Sequence, residues 1–173
     1  MIRLALVGCG RNAITLARAI KSSALCELAI AVDVDPVSAE HIAESNGARA
    51  HTGGLQSLLA SGSADIDAVV VNTPNDKHAT DASAAIASGK HVLVEKPLAL
   101  SAAAASVVVQ EAESAQLCLM VAHTLRFMPP NVQVQKSVEN GELGRPGMLR
   151  SHRWLRRFPG PPTSWKHKPD RSG

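Results

Sequence analysis

The chain has 173 residues, 45% of them hydrophobic, and a formal net charge of +3. That supports one sizeable core with room for part of a second domain, and it is too apolar for a disordered chain. There is no 18-residue apolar run and no charged-then-apolar leader, and Cys9, Cys26 and Cys118 lack C-x-x-C spacing; these features argue against a spanning helix, a disulfide framework or a metal site and predict a cytoplasmic protein.

Ile2, Leu4, Leu6 and Val7 predict a first strand, broken at Gly8-Cys9-Gly10. Ala13, Leu16, Ala17 and Ile20 then follow at i, i+3, i+4 and i+7, the inward stripe of an amphipathic helix. The run G-x-G-x-x-A between strand and helix is the setting of the dinucleotide fingerprint. Gly8 would make the tight turn, Gly10 would let a pyrophosphate approach the backbone, and Ala13 would let the helix pack close. The free N–H groups at the helix start would face the phosphates. An ordinary strand–turn–helix with glycines at its bend is the competing reading.

Residues 28–32 form a continuous apolar run that ends at Asp33. An acidic residue there suits a ribose 2′-hydroxyl, and neither Val34 nor Asp35 brings a cation for a 2′-phosphate, so NAD is favoured over NADP. Pro36 opens a helix that Asn46-Gly47 should stop. A weak strand over 48–51 and a short helix over 55–59 follow. Residues 68–71 predict a buried strand leading to Asn72-Thr73-Pro74-Asn75. A helix over 77–88 has Asn75 or Asp76 as its candidate N-cap and Gly89 past its end. The next strand, 91–94, stops at Glu95-Lys96-Pro97. Ser101 caps a helix to Ser114, and 117–122 predicts a sixth strand.

Strands alternating with helices predict an α/β fold, a doubly wound parallel sheet over residues 1–122. Beyond His123 the pattern changes: Pro129-Pro130 opens a helix ended by Asn140-Gly141, and 148–155 predicts a lone strand. Residues 121–173 carry 10 Lys+Arg against 3 Asp+Glu, where residues 1–120 carry 8 against 12. An acidic ligand, a solvated face or a subunit contact accounts for those charges better than nucleic acid does, because no helix-turn-helix or stacking platform accompanies them.

Ligands of open parallel sheets lie outside the carboxyl ends of the strands. Four polar clusters fall at such ends: 8–12, Asp33, 72–75 and 95–97. Lys96, between a buried strand and a proline, is the candidate catalytic residue. Its ammonium can hold a substrate hydroxyl and stabilise an alkoxide, with Glu95 holding that lysine or a ribose hydroxyl. A surface ion pair between Glu95 and Lys96 is the alternative. His78, taken alone, reads as a capping or packing histidine.

The combination GCGRNA, VDVDP, TPNDKH, GKHVLVEKP, LRFMPP and GELGRPG resembles the glucose–fructose oxidoreductase/inositol dehydrogenase (Gfo/Idh/MocA) family along the whole chain. The resemblance implies a Rossmann domain over 1–122 and, over 123–173, the start of an α+β substrate and oligomerisation domain. It implies binding of NAD(H) or NADP(H) and oxidation of a secondary alcohol of a sugar, sugar derivative or cyclitol. By it, Gly8, Gly10, Arg11 and Asn12 hold the pyrophosphate and Asp33 the adenosine ribose. Thr73, Asn75, His78 and Glu95 line the path to the nicotinamide ribose, and Lys96 is the active-site lysine. Arg126 lies near the nicotinamide or substrate, and Trp165 borders the cofactor.

Family members are longer and continue to an Asp-x-x-x-His pair whose histidine is the general acid/base. Neither His152 nor His167 has an Asp four residues before it. The expectation is therefore a truncated chain that binds NAD and turns over poorly, the full-length form being a homo-oligomer. A non-catalytic NAD-binding sensor, which would not need Lys96, is the alternative.

Overall fold

The computed structural model describes residues 1–62, 65–152, 168 and 171. Six parallel strands form one sheet: β1 (Ile2–Val7), β2 (Cys26–Asp33), β3 (Arg49–Thr52), β4 (Ala68–Val71), β5 (His91–Val94) and β6 (Leu119–Val121). Their order is β3-β2-β1-β4-β5-β6, the doubly wound arrangement in which the direction of winding reverses between β1 and β4.

The central strands β1, β2, β4 and β5 are largely apolar because both faces are covered, whereas the edge strand β3 is exposed or half-buried. Ala5 and Val7 of β1 join Val69, Val71, Val92 and Val94 in one core layer with Leu55, Leu58, Ile86 and Val108. Leu6, between them in sequence, belongs to the other layer, with Val70, Ala13, Ala17, Ile20 and Ile42. The first layer is closed by α3 (Leu55–Ala60), α4 (His78–Ala87) and α5 (Ala102–Ser114), the second by α1 (Ala13–Lys21) and α2 (Pro36–Asn46). With two Phe and two Trp in the whole chain, Ala and Val fill these layers.

Local signals set most boundaries. Asp35 accepts a hydrogen bond from Ser38 N and caps α2, which Gly47 ends in the left-handed region at φ 69°. Ser101 accepts from Ala104 N and caps α5. The start of α4 departs from expectation. Asn75–Lys77 form a 3-10 turn, and α4 begins at His78 without a side-chain cap. Neither Asn75 nor Asp76 is its N-cap, because the extra turn displaces both from the helix start. The sixth strand is also shorter than 117–122: Leu117 N bonds Ala112 O, so that residue finishes the helix cap.

Residues 1–122 form one compact unit, to which Arg171 also belongs; a second unit begins at His123. In the second, a 3-10 turn (Thr124–Phe127) leads into α6 (Pro129–Glu139), and Asn131 Nδ2 bonds Leu125 O at 2.6 Å. The strand expected over 148–155 is not formed in its described part. Residues 148–152 pair with no strand among the described residues, and Met148 and Leu149 are 79% and 81% exposed. A strand needs a ladder partner to satisfy its backbone. Residues 153–155 lie outside the described residues. No helix among the described residues is long and apolar enough to cross a membrane.

Candidate functional site

The loops after β1, β2, β4 and β5 meet at the carboxyl edge of the sheet because those strands are neighbours. The loops after β1 and β4 flank the point where the winding reverses, the ligand crevice of such sheets. Gly8, at φ +94°, begins the first loop, and a Cβ on it would lie 2.5 Å from Asn72 O and 2.8 Å from Thr73 N. Only glycine fits there, on conformation and on space. Gly10 differs: a Cβ there would meet nothing within 4 Å. The fold leaves room over Gly10, as expected of a site where a ligand approaches the backbone. Ala13 is fully buried against the sheet. The α1 start carries no side-chain cap bond and no acidic residue in its first turn; Ala13 N and Thr15 N bond Gly10 O and Asn12 O, so what this end offers an anion is chiefly the positive end of the helix dipole.

Asp33 ties the β2 end to this loop. Its Oδ2 accepts from Cys9 N at 2.7 Å and its Oδ1 from Asp35 N at 2.9 Å. Each oxygen keeps a further lone pair with which to accept from a ribose hydroxyl. Cys9, between the glycines, is 6% exposed and donates to Val32 O. Burial, and next the Asp33 charge, push its thiol up to about 12 from 9.0. It is packing, not a nucleophile.

A polar network spans the loops. Asn12 Nδ2 donates to Asn72 Oδ1 at 2.9 Å and to Glu95 Oε1 at 3.1 Å, and Asn72 Nδ2 donates to Gly8 O at 2.7 Å. Glu95 Oε2 in turn accepts from Lys96 N at 3.2 Å. Asn72 is the hub; the sequence placed it in the 72–75 cluster at a strand end but gave it no role of its own. Its signal was its position, directly after the apolar run 68–71. Lys96 is exposed at the end of this network, and Arg11 is exposed on the glycine loop.

Two expected ligand-facing residues turn inward. Thr73 Oγ1 donates to Asp81 Oδ2 at 2.7 Å, and burial raises the Asp81 carboxyl above its usual value. His78 is 1% exposed, with Nδ1 2.6 Å from Pro97 O and Nε2 2.8 Å from Thr73 O. Their side chains brace the loops, with their polar atoms engaged inside the fold. Asn75 lies in the 3-10 turn, half-buried. Arg126 belongs to the second unit, in its opening 3-10 turn. Trp165 lies outside the described residues.

A doubly wound sheet with a glycine loop at its reversal point, an acidic residue closing β2 and an uncapped helix start defines a dinucleotide-binding domain of the Rossmann class. Residues 2–123 match the Gfo/Idh/MocA oxidoreductase family, described as having an NAD-binding Rossmann fold. The chain belongs to that family. It is 32% identical over 148 residues to inositol 2-dehydrogenase of Rhizobium meliloti (strain 1021), covering 86% of this chain and 44% of that protein. Among solved structures it resembles the WlbA dehydrogenase of Bordetella pertussis, in complex with NADH and UDP-GlcNAcA (TM-score 0.77, 31% identity, 83% of this chain and 41% of that one). It also resembles KijD10, a 3-ketoreductase of Actinomadura kijaniata, in complex with NADP and TDP-benzene (TM-score 0.74, 29% identity, 81% and 42%). The chain spans about half the length of the curated relatives it matches.

Proposed function

We propose that the chain is the cofactor-binding part of an oxidoreductase that moves a hydride between nicotinamide and a secondary alcohol of a sugar, sugar derivative or cyclitol. The observation that carries this reading is the contrast between the two glycines. Gly8 is required by the protein's own backbone, whereas the space over Gly10 serves no packing purpose. That space, at an uncapped helix start, fits a pyrophosphate. The residues present therefore fit a nicotinamide dinucleotide. Gly10, Arg11 and Asn12 would hold the pyrophosphate, Asp33 the adenosine ribose, and Asn75 and Glu95 the nicotinamide side. Asp33, followed in sequence by Val34 and Asp35 and not by Arg or Lys, favours NAD over NADP.

Nicotinamide, when bound, supplies the hydride acceptor. The chain's own residues would bind and orient the substrate. Lys96 would donate a hydrogen bond to the substrate oxygen and stabilise the alkoxide charge that develops there. Glu95, fixed through Asn12 and by the Lys96 N–H, would set the direction of that lysine. The test is Lys96→Ala, assayed in this chain for NAD binding and, in an oxidoreductase that contains it together with a substrate domain, for polyol-dependent NADH formation. The reading predicts retained NAD binding and a fall in turnover of about 100-fold or more, the usual scale for loss of a group acting in the transition state. Undiminished turnover in Lys96→Ala would remove the lysine from the chemistry.

A further inference from the structure

Asn12 stands at the N-cap position of α1, yet its side chain makes no cap bond to the helix. An asparagine there ordinarily turns its oxygen back to the second or third helical N–H. Here the amide faces the neighbouring loops instead. Its Nδ2 donates to Glu95 Oε1 at 3.1 Å and to Asn72 Oδ1 at 2.9 Å. Asn72 Nδ2 donates in turn to Gly8 O at 2.7 Å. A carboxylate and a backbone carbonyl only accept, so the two ends of this chain fix which atom of each amide is nitrogen.

Both hydrogens of the Asn12 amide are thus committed to the protein. No side-chain donor remains for a phosphate, and Oδ1 is an acceptor. The Asn12 backbone N–H differs, because it bonds no group among the described residues. Glu95 shows the other side of the same arrangement. Among the described residues its carboxylate forms no ion pair and meets only the Asn12 amide and the adjacent Lys96 N–H. Asn12 is therefore the one contact from another loop that orients it.

We propose that the Asn12 side chain is a positioning group for Glu95, while its backbone N–H serves the pyrophosphate. One residue of the glycine loop would then hold the nicotinamide end of the site as well as the phosphate end. Its amide would fix Oε1 of Glu95 and leave that carboxylate a set direction from which to accept a ribose hydroxyl. The nicotinamide part rests on the role proposed above for Glu95; the anchoring of Glu95 by Asn12 does not.

The first arm of the test is NMR of the labelled wild-type chain without cofactor, so that no variant need fold. The Asn12 side-chain nitrogen should show couplings through its hydrogen bonds to Asn72 Cγ and Glu95 Cδ. An amide with neither coupling, exchanging with water like that of any exposed asparagine, overturns the proposal. The second arm is calorimetric titration of wild type and Asn12→Ala with NAD and with ADP, which has the adenosine and diphosphate but no nicotinamide. Asn12→Ala keeps the backbone N–H. Its affinity for NAD should fall about fivefold more than its affinity for ADP, the scale of one hydrogen bond. Equal losses for both ligands would make the side chain a phosphate group and overturn its role toward Glu95. Binding of neither ligand by wild type, with the amide couplings present, would overturn the nicotinamide part together with the proposed function and leave the Glu95 anchor standing.

Discussion

Gly8 and Asn72 lock together across the point where the sheet reverses its winding. Asn72 Nδ2 donates to Gly8 O at 2.7 Å, while the Asn72 carbonyl sits where a Cβ on residue 8 would fall, at 2.5 Å. Gly8→Ala should therefore lower stability by about 3 kcal/mol, from left-handed strain and overlap together. Gly10→Ala, with nothing to meet, should leave the denaturation midpoint nearly unchanged and weaken NAD binding. Denaturant unfolding and NAD titration of the two variants separate a structural glycine from a ligand-facing one. Equal loss of stability in both would contradict this.

Asn72 carries the network farther. Asn72→Ala removes its bonds to Gly8 and Asn12, at a cost of about 1–2 kcal/mol. Asn72→Asp sets a carboxylate against Gly8 O and adds a negative charge on the side where Asn12 already meets Glu95. NAD affinity should fall in the order wild type, Asn72→Ala, Asn72→Asp, by about tenfold or more at the last step. Titration of the three proteins at one ionic strength checks the order.

Asp33 accepts one backbone N–H on each oxygen. Asn at this position would turn an NH2 group toward one of those donors. Asp33→Asn should lower stability by about 1–2 kcal/mol even without cofactor. An unchanged melting temperature would mean that the carboxylate is not needed to hold the loop.

The pH dependence has two ends. The Cys9 thiol, up to about 12 in the fold from 9.0, keeps its proton longer folded than unfolded. Its contribution is complete below about pH 9 and is lost as pH rises from there toward 12, amounting to a few kcal/mol at most. Cys9→Ala should flatten the alkaline limb of a stability–pH curve. Asp35 works at the acid end. Hydrogen bonding from Ser38 holds its carboxyl below the ordinary 3.8; its contribution is present above that value and fades as pH falls through the lowered one. Thiol labelling at neutral pH should modify exposed Cys118 well before buried Cys9.

The sheet was legible because its signals are local and repeated. Residues 28–32 and 68–71 are apolar without alternation, as strands covered on both faces must be, and Asp35, Gly47 and Ser101 mark helix ends by their own hydrogen bonds or backbone angles. Four site clusters followed from the rule that ligands lie at strand ends. What stayed hidden depends on contacts distant in sequence. Nothing local says that Thr73 turns to Asp81 or that His78 reaches Pro97 nineteen residues on. Nor does the strand run show that Asn72 reaches back 64 residues to Gly8. The pattern beginning at Met148 resembles a strand, but a strand exists only with a neighbour, and its described part, 148–152, pairs with none among the described residues.

The most direct test of the account is calorimetric titration of this chain with NAD and, separately, NADP, repeated on Asp33→Ala. The account predicts that NAD binds, that NADP binds more weakly, and that Asp33→Ala loses the NAD site. Binding of neither dinucleotide to the folded chain would contradict it, leaving the glycine loop a structural turn.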